Sequence, residues 1–405
     1  MDKNQEILLH LSLIYGVGPV LVLKFIKKLF DEFIVNQKHP EIQKTNFDLS
    51  IIYNLREQDF ENKFGFTKNQ AEIIFAGLQD KKLLDQELNL IEKYKINWAT
   101  FLDDNYPEIL KSIYAPPVAI YSKGESLNNY KNNLAIVGSR KATNYSQKVL
   151  DKIVPELVAN NITIVSGGAL GVDTIAHKNT VHAGGKTIVA LGSGLLAPYP
   201  EQNIKFFKTI ANGAGTLVSI FPLKMGPDKG TFPARNRVIA GLSQGCLVVE
   251  AAQKSGALIT AQFALDEGRN VYAVPGNIEN PLSVGCNNLI KNGAKLIQNT
   301  SDILEDFGII TEVKVQDNLK QEKVSKTKVP EKQENKVNNK ISKNNNLKEN
   351  NHESLILNFL DRAKSIDDLS LKLNLGINVL QEKLFDLELS GQVKQNISGY
   401  WERAE

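Results

Sequence analysis

A doubly wound, mostly parallel α/β sheet is predicted for the middle of this 405-residue chain, with an all-helical region before it and a small helix-and-hairpin region after it. Three observations carry that expectation. Between residues 134 and 309, short apolar runs alternate with amphipathic helical stretches six or seven times. The runs are continuously apolar and β-branched, as strands covered on both faces are. And the stretch Ser166-Gly-Gly-Ala-Leu-Gly-Val-Asp-Thr-Ile-Ala-His177 follows an apolar run and opens a segment of helical spacing, so it reads as strand, glycine turn and helix start.

Residues 1–95 carry apolar residues at helical spacing: Ile7, Leu8, Leu11 and Ile14, then Val20, Val22, Leu23, Ile26, Leu29 and Phe30, on either side of Gly16-Val-Gly-Pro19. That pattern predicts a helix-hairpin-helix, whose turn amides can hold a backbone phosphate, with Lys24, Lys27 and Lys28 on the second helix. A similar turn, Phe64-Gly-Phe-Thr67, precedes a helical segment expected to end near Leu84. Both turns are equally consistent with simple connections between packed helices.

Residues 96–133 form a connector. Asp104-Asn-Tyr-Pro107 and Ala115-Pro-Pro117 predict an ordered, extended segment strapping the helices to the sheet. The strands expected beyond it are Leu134 to Gly138, Ile162 to Val165, Thr187 to Leu191, Thr216 to Ile220, Cys246 to Val249, Val271 to Val274 and Lys295 to Ile297. Residues 310–352 hold ten lysines against six acids and few apolar residues, which predicts a disordered, mildly basic linker. Residues 353–405 predict three helices and a hairpin, a winged-helix pattern. Its third helix carries Glu382, Asp386 and Glu388 against Lys383, so packing or protein contact is favoured there over phosphate binding.

Composition narrows the function. With 42% hydrophobic residues the chain can build ordinary cores, and with a net charge of +3 any anion site must be local. No apolar run approaches 18 residues and the start lacks a basic leader, so a cytoplasmic protein without membrane partner is expected. Cys246 and Cys286 lack metal-ligand spacing and read as buried thiols. No Ser/His/Asp set, metal cluster or carboxylate pair suggests catalysis, and His177 reads as a packed or hydrogen-bonded helix residue.

In open parallel sheets ligands bind beyond the carboxyl ends of the strands. The loops there supply the candidates. Ser166, Gly167 and Gly168 form a turn at a helix start in which the two glycines lack Cβ atoms, which suits a phosphate, although any βα unit also needs a tight turn. Gly138, Ser139 and Arg140 offer close approach, a hydroxyl and a guanidinium fork. Phe232-Pro-Ala-Arg-Asn-Arg237 adds a ring and the residues Arg235, Asn236 and Arg237; successive helix positions diverge by about 100°, so one arginine should face the ligand and the other a buried acid such as Glu250. Ser255 and Gly256 suit another helix N-terminus, and Lys186 offers a point charge.

Two motifs are decoys. Gly185-Lys-Thr187 lacks the first glycine of a Walker loop and precedes a strand, which argues against an NTPase. Gly192-Ser-Gly-Leu-Leu-Ala197 fits a dinucleotide fingerprint, but Pro198 and Pro200 follow at once and no acid ends the next strand.

Taken in order, Gly138-Ser-Arg140, Ser166-Gly-Gly-Ala-Leu-Gly-Val-Asp173, Ala190-Leu-Gly192 with Tyr199-Pro200, Phe232-Pro-Ala-Arg-Asn-Arg237, Glu250 with Ser255-Gly256, and Val274-Pro-Gly276 with Gly285, Gly293 and Ala294 closely resemble the DNA processing protein A family, DprA or Smf, over about residues 100 to 300. The resemblance implies a Rossmann-like core that binds single-stranded DNA without catalysis or cofactor, dimerises, and loads RecA recombinase during natural transformation. It also implies a sterile-alpha-motif-like front, a winged-helix end, and DNA contacts at Arg140, Gly167, Gly168 and Lys186. The alternative is a nucleotide-binding or nucleoside-monophosphate-hydrolysing protein of the lysine-decarboxylase-like group. That group needs a Pro-Gly-Gly loop, and here Asn277 follows Pro275-Gly276. A nucleotide-sensing scaffold is the third reading.

Overall fold

The computed structural model describes residues 2–36, 48–309, 349–360, 364, 366–373, 375, 377–395 and 401–404. The chain divides into two compact units, residues 1–316 and 317–405. Most of the expected linker, residues 310–348, lies outside the described residues.

Among the described residues, the first unit begins with the α-helices α1 (Lys3–Leu13), α2 (Pro19–Asn36), α3 (Glu57–Asn62), α4 (Lys68–Gln79) and α5 (Lys82–Tyr94), with a 3₁₀ turn at Leu49–Asn54. The segment expected to end near Leu84 is thus two helices, broken at Asp80 and Lys81. A capping box starts α4, with the Gln70 amide donating to Thr67 Oγ1 at 3.3 Å and the Thr67 amide to Gln70 Oε1 at 3.1 Å. Phe25 packs against Phe60, Phe64 and Phe66 with ring centres 4.9 to 5.7 Å away. Such pairs contribute about 0.5–1.5 kcal/mol each beyond their buried area, so the Phe64-Gly-Phe66 turn serves the core. Lys28 Nζ donates to the Phe64 carbonyl at 2.7 Å, which removes that lysine from the expected phosphate contact; Lys24 and Lys27 stay exposed.

The connector contributes more than a strap. It contains β1 (Asn97–Thr100), the short α6 (Glu108–Lys111) and β2 (Ala119–Gly124), and both strands join the main sheet. Tyr106 anchors the turn between them, its buried hydroxyl donating to the Pro117 carbonyl at 2.9 Å.

The α/β alternation then runs β3 (Asn133–Val137), α7 (Asn144–Ala159), β4 (Thr163–Ser166), α8 (Val172–His182), β5 (Thr187–Ala190), α9 (Ile204–Thr209), β6 (Gly215–Ser219), α10 (Thr231–Gly241), β7 (Gly245–Val248), α11 (Gly256–Asp266), β8 (Asn270–Ala273), α12 (Val284–Lys291), β9 (Lys295–Leu296) and α13 (Ser301–Leu304). The nine-stranded sheet has the order β1-β2-β6-β5-β4-β3-β7-β8-β9. From β6 to β9 every pairing is parallel, while β2 pairs antiparallel with β6 and with β1. The chain steps outward from β3 to β6, then returns to place β7 on the other side of β3. The winding therefore reverses between β3 and β7, and a crevice opens there beyond the carboxyl ends.

Side-chain alternation divides the core. Leu134 and Ile136 of β3 pack with Leu150, Val154 and Leu157 of α7, while Ala135 and Val137 join the opposite cluster with Val238 of α10 and Ala261 of α11. Every residue of β3, β4, β5 and β7 is buried. That is why these strands read as unbroken apolar runs.

The second unit contains α14 (Glu349–Phe359), α15 (Ile366–Leu373), α16 (Ile377–Leu389) and the antiparallel pair β10 (Val393–Gln395) and β11 (Trp401–Arg403), around Ile356, Leu360, Leu369, Leu380, Leu384, Leu387 and Val393. On α16, Lys383 pairs with Asp386 at 3.7 Å. Among the described residues no helix is long and apolar enough to cross a membrane.

Candidate nucleic-acid interface

A cleft of about 370 Å³ opens at the winding reversal, between the loops after β3 and β7 and the starts of α10 and α11. Gly138, Ser139 and Arg140 enter it from β3, Phe232, Arg235 and Asn236 from α10, and Ser255 and Gly256 from the start of α11. Arg140 also borders two adjoining hollows, one of them shared with Gly167, Gly192, Tyr199 and Phe232. It is exposed, and its guanidinium carbon lies 5.3 Å from the centre of the Phe232 ring. Tyr199 lies beside the same ring, centre to centre 6.3 Å, and lines one hollow with it and with Arg140. A half-buried ring beside an exposed guanidinium offers a base a surface on which to stack without reading its identity.

Arg235 and Arg237 part as helix geometry requires. Arg235 is buried, and its Nη1 donates to the carbonyls of Gly167 and Ala190, the latter at 2.9 Å; its Nε donates to Asn236 Oδ1 at 3.0 Å. Burial pulls its pKa down to about 10, partly offset by Asp173 and reinforced by Arg140. It remains a cation, but its hydrogen bonds hold the cleft floor together. Arg237 turns to the other side and lies 5.0 Å from the ring centre of Phe263. The expected partner acid does something else: Glu250 accepts from the Thr143 amide at 3.0 Å and from its hydroxyl at 2.6 Å, fixing the cap of α7.

The glycine turn corrects a second expectation. The Gly167 amide donates to Asp173 Oδ2 at 3.1 Å and the Ala169 amide to the same oxygen at 3.3 Å. The Gly167 amide is therefore taken by a side chain of the chain itself. Glycine is needed at 167 because a Cβ there would lie 2.1 Å from Arg235 Nη1, and at 168 because φ is +64° with Val189 and Phe207 2.7–2.8 Å from where a Cβ would be. Ser166 Oγ donates to the Ile136 carbonyl at 2.6 Å and so ties β4 to β3 instead of facing the cleft. Ser255 Oγ accepts from the Ala257 amide at 3.3 Å as the cap of α11. Asp173 itself is buried, and burial raises its pKa against the opposing pull of Arg235 and the loop amides.

Lys186 stands apart from the rest. It precedes β5, and Ile164 pairs with Thr187 in the parallel register, so it lies at the amino edge of the sheet, opposite the cleft. Its Nζ pairs with Glu125 and donates to the Gly213 carbonyl at 2.7 Å. A lysine that sequence reasoning passed over takes its place: exposed Lys229 lines the cleft from the loop before α10. Of the decoys, the Gly192 segment folds back on Leu223 and Met225 and starts no helix. Among the described residues no group of three His, Cys, Asp or Glu is placed to hold a metal.

The model of one protein family, described as DNA recombination-mediator protein A, matches residues 97–308, which span both added strands and the whole parallel sheet. The chain belongs to this family. Over 209 residues it is 44% identical to DNA processing protein DprA of Streptococcus pneumoniae, covering 51% of this chain and 73% of that one. Over 321 residues it is 34% identical to Protein Smf of Synechocystis, covering 76% of this chain and 74% of that one. The crystal structure of DNA processing protein A from Streptococcus pneumoniae aligns with a TM-score of 0.61 at 32% identity, over 76% of this chain and 98% of that one. The matched span of the DNA recombination-mediator protein A family holds Arg140, Phe232, Arg235 and Lys229, and stops short of α14 to α16.

Proposed function

We propose that this protein binds single-stranded DNA in the cleft beyond β3 and β7 and acts in DNA processing without catalysing a reaction. One observation carries the reading: Arg140, Phe232, Tyr199 and Lys229, from three separate stretches of sequence, gather where the winding of the sheet reverses. A ring and guanidinium suit unpaired bases, and exposed cations suit the backbone between them. The names of its relatives fit the same activity. By family likeness the protein protects incoming DNA, works in the cytoplasm as a homodimer and loads RecA recombinase during natural transformation. On the same ground the helical front is sterile-alpha-motif-like and the end a winged-helix-like domain. The three helices and strand pair of the second unit support the latter.

The test is equilibrium binding of a labelled oligothymidylate to wild type and Arg140→Ala at two salt concentrations, with duplex and thymidine monophosphate competitors. Salt-sensitive binding that the substitution weakens tenfold or more, about 1.4 kcal/mol, and that duplex displaces poorly, supports the proposal. Displacement by the mononucleotide at equal nucleotide concentration would favour the nucleotide-site alternative. Absence of oligonucleotide binding would remove the proposal altogether.

A further inference from the structure

The loop at the start of α8 has the form of a phosphate cradle, and two of its amides already hold a carboxylate of the chain itself. Amides of Gly167 and Ala169 converge at the positive end of the helix, and both donate to Oδ2 of Asp173, which lies within the first turn of that helix. The loop carbonyls are occupied as well: Gly167 by Arg235, Gly168 by Asn203 Nδ2 at 2.9 Å and Ala169 by Thr174 Oγ1 at 2.6 Å. Asn203 further donates to Thr174 Oγ1 at 2.8 Å, so the loop is braced from three elements. Asp173 is 7% exposed and Arg235 6%, yet both border the cleft that holds Arg140 and Phe232.

We propose that Asp173 is a built-in anion that occupies the phosphate position of this loop, so that the cleft grips DNA by its internal phosphodiesters and rejects free or terminal phosphate. The inference rests on the single-strand reading of the same cleft. A terminal phosphate carries up to two charges and would have to approach a fixed carboxylate, and like charges a few ångströms apart disfavour each other. An internal diester carries one charge and has Arg140 and Lys229 to meet on the open side. The carboxylate thus selects a strand over a mononucleotide, while holding the loop and Arg235 in place.

Three measurements on the full chain test it. For wild type, inorganic phosphate and thymidine monophosphate should displace labelled oligothymidylate no better than sodium chloride at matched ionic strength. In Asp173→Ala and Asp173→Ser, which vacate the slot, both anions should compete at tenfold lower concentration or less than in wild type. Added formate should raise the melting midpoint of Asp173→Ala and leave wild type unmoved. Specific displacement from wild type by phosphate overturns the proposal, as does indifference of both variants to phosphate and formate. If the alanine variant does not fold, the serine variant and the wild-type competition decide. If wild type binds no oligothymidylate, the single-strand reading fails, while the response of the variants' melting to formate and phosphate still decides whether Asp173 fills an anion slot.

Discussion

Arg235 Nη1 donates to the Ala190 carbonyl at 2.9 Å, joining α10 to the carboxyl end of β5 beneath the cleft. Two positions later, Arg237 rests on Phe263 of α11. Two positions apart in one basic motif, the two arginines have different physical roles.

Their replacement should therefore separate stability from surface effects. Arg235→Ala leaves the Gly167 and Ala190 carbonyls short of a charged donor in a buried site, where losing such a bond typically costs roughly 1.5–3 kcal/mol. Arg237→Ala removes one half-exposed contact between cation and ring, of order 0.5–1 kcal/mol. Urea unfolding of both variants checks this. Equal midpoints for the two would contradict the division.

The two lysines should also separate. Lys186→Ala, at the amino edge and paired with Glu125, should leave oligothymidylate affinity within about twofold of wild type, since the cleft lies at the other edge. Lys229→Ala should weaken binding and lower the slope of log K against log salt by about 0.7, the loss of one single-strand phosphate contact. Titrations at four salt concentrations would show it. A larger loss from Lys186→Ala than from Lys229→Ala would place the DNA at the wrong edge.

How far the sequence reveals this arrangement depends on how local the signal is. The parallel strands are legible because four or five successive residues, such as Asn133–Val137, are all buried, and such runs announce themselves. Strands β1 and β2 are hidden because Asn97–Thr100 is a short edge strand that pairs only with β2, and Ala119–Gly124 joins the sheet through antiparallel pairing with β6, far along the chain. Arg140 and Phe232 stand out through the motifs around them. Lys229 sits in the polar run Gly226-Pro-Asp-Lys-Gly230, and only its place just ahead of α10 sets it apart. Lys186 could have been excluded, because a residue preceding a parallel strand lies at the edge where ligands do not bind. Asp173 carried a usable signal, an acid in the first turn of a helix on an apolar stretch, but nothing local showed that it would turn back into the loop.

His177 provides a test that involves no ligand. Its Nδ1 lies 2.7 Å from Thr187 Oγ1, and that hydroxyl donates to the Ile164 carbonyl at 2.7 Å, so Nδ1 must carry the proton. Nε2 is then a buried lone pair, with no hydrogen-bond partner. Burial, reinforced by the charge of Arg235, lowers the histidine pKa to about 3 from 6.5. A base with a depressed folded-state pKa takes up its proton preferentially when unfolded. Its contribution is complete above pH 6.5 and is lost as pH falls toward 3, with a limiting slope of about 1.4 kcal/mol per pH unit. Asp173, whose pKa is raised by burial, binds its proton more readily when folded and opposes this trend on acidification. The comparison must therefore be made against a variant. His177→Asn keeps a donor toward Thr187 and cannot titrate, so its deficit relative to wild type at pH 7 should shrink at pH 6 and again at pH 5, by up to about 1.4 kcal/mol per unit. Urea unfolding at the three values gives the answer, and parallel pH profiles for the two proteins would show that the imidazole is not held neutral by the fold.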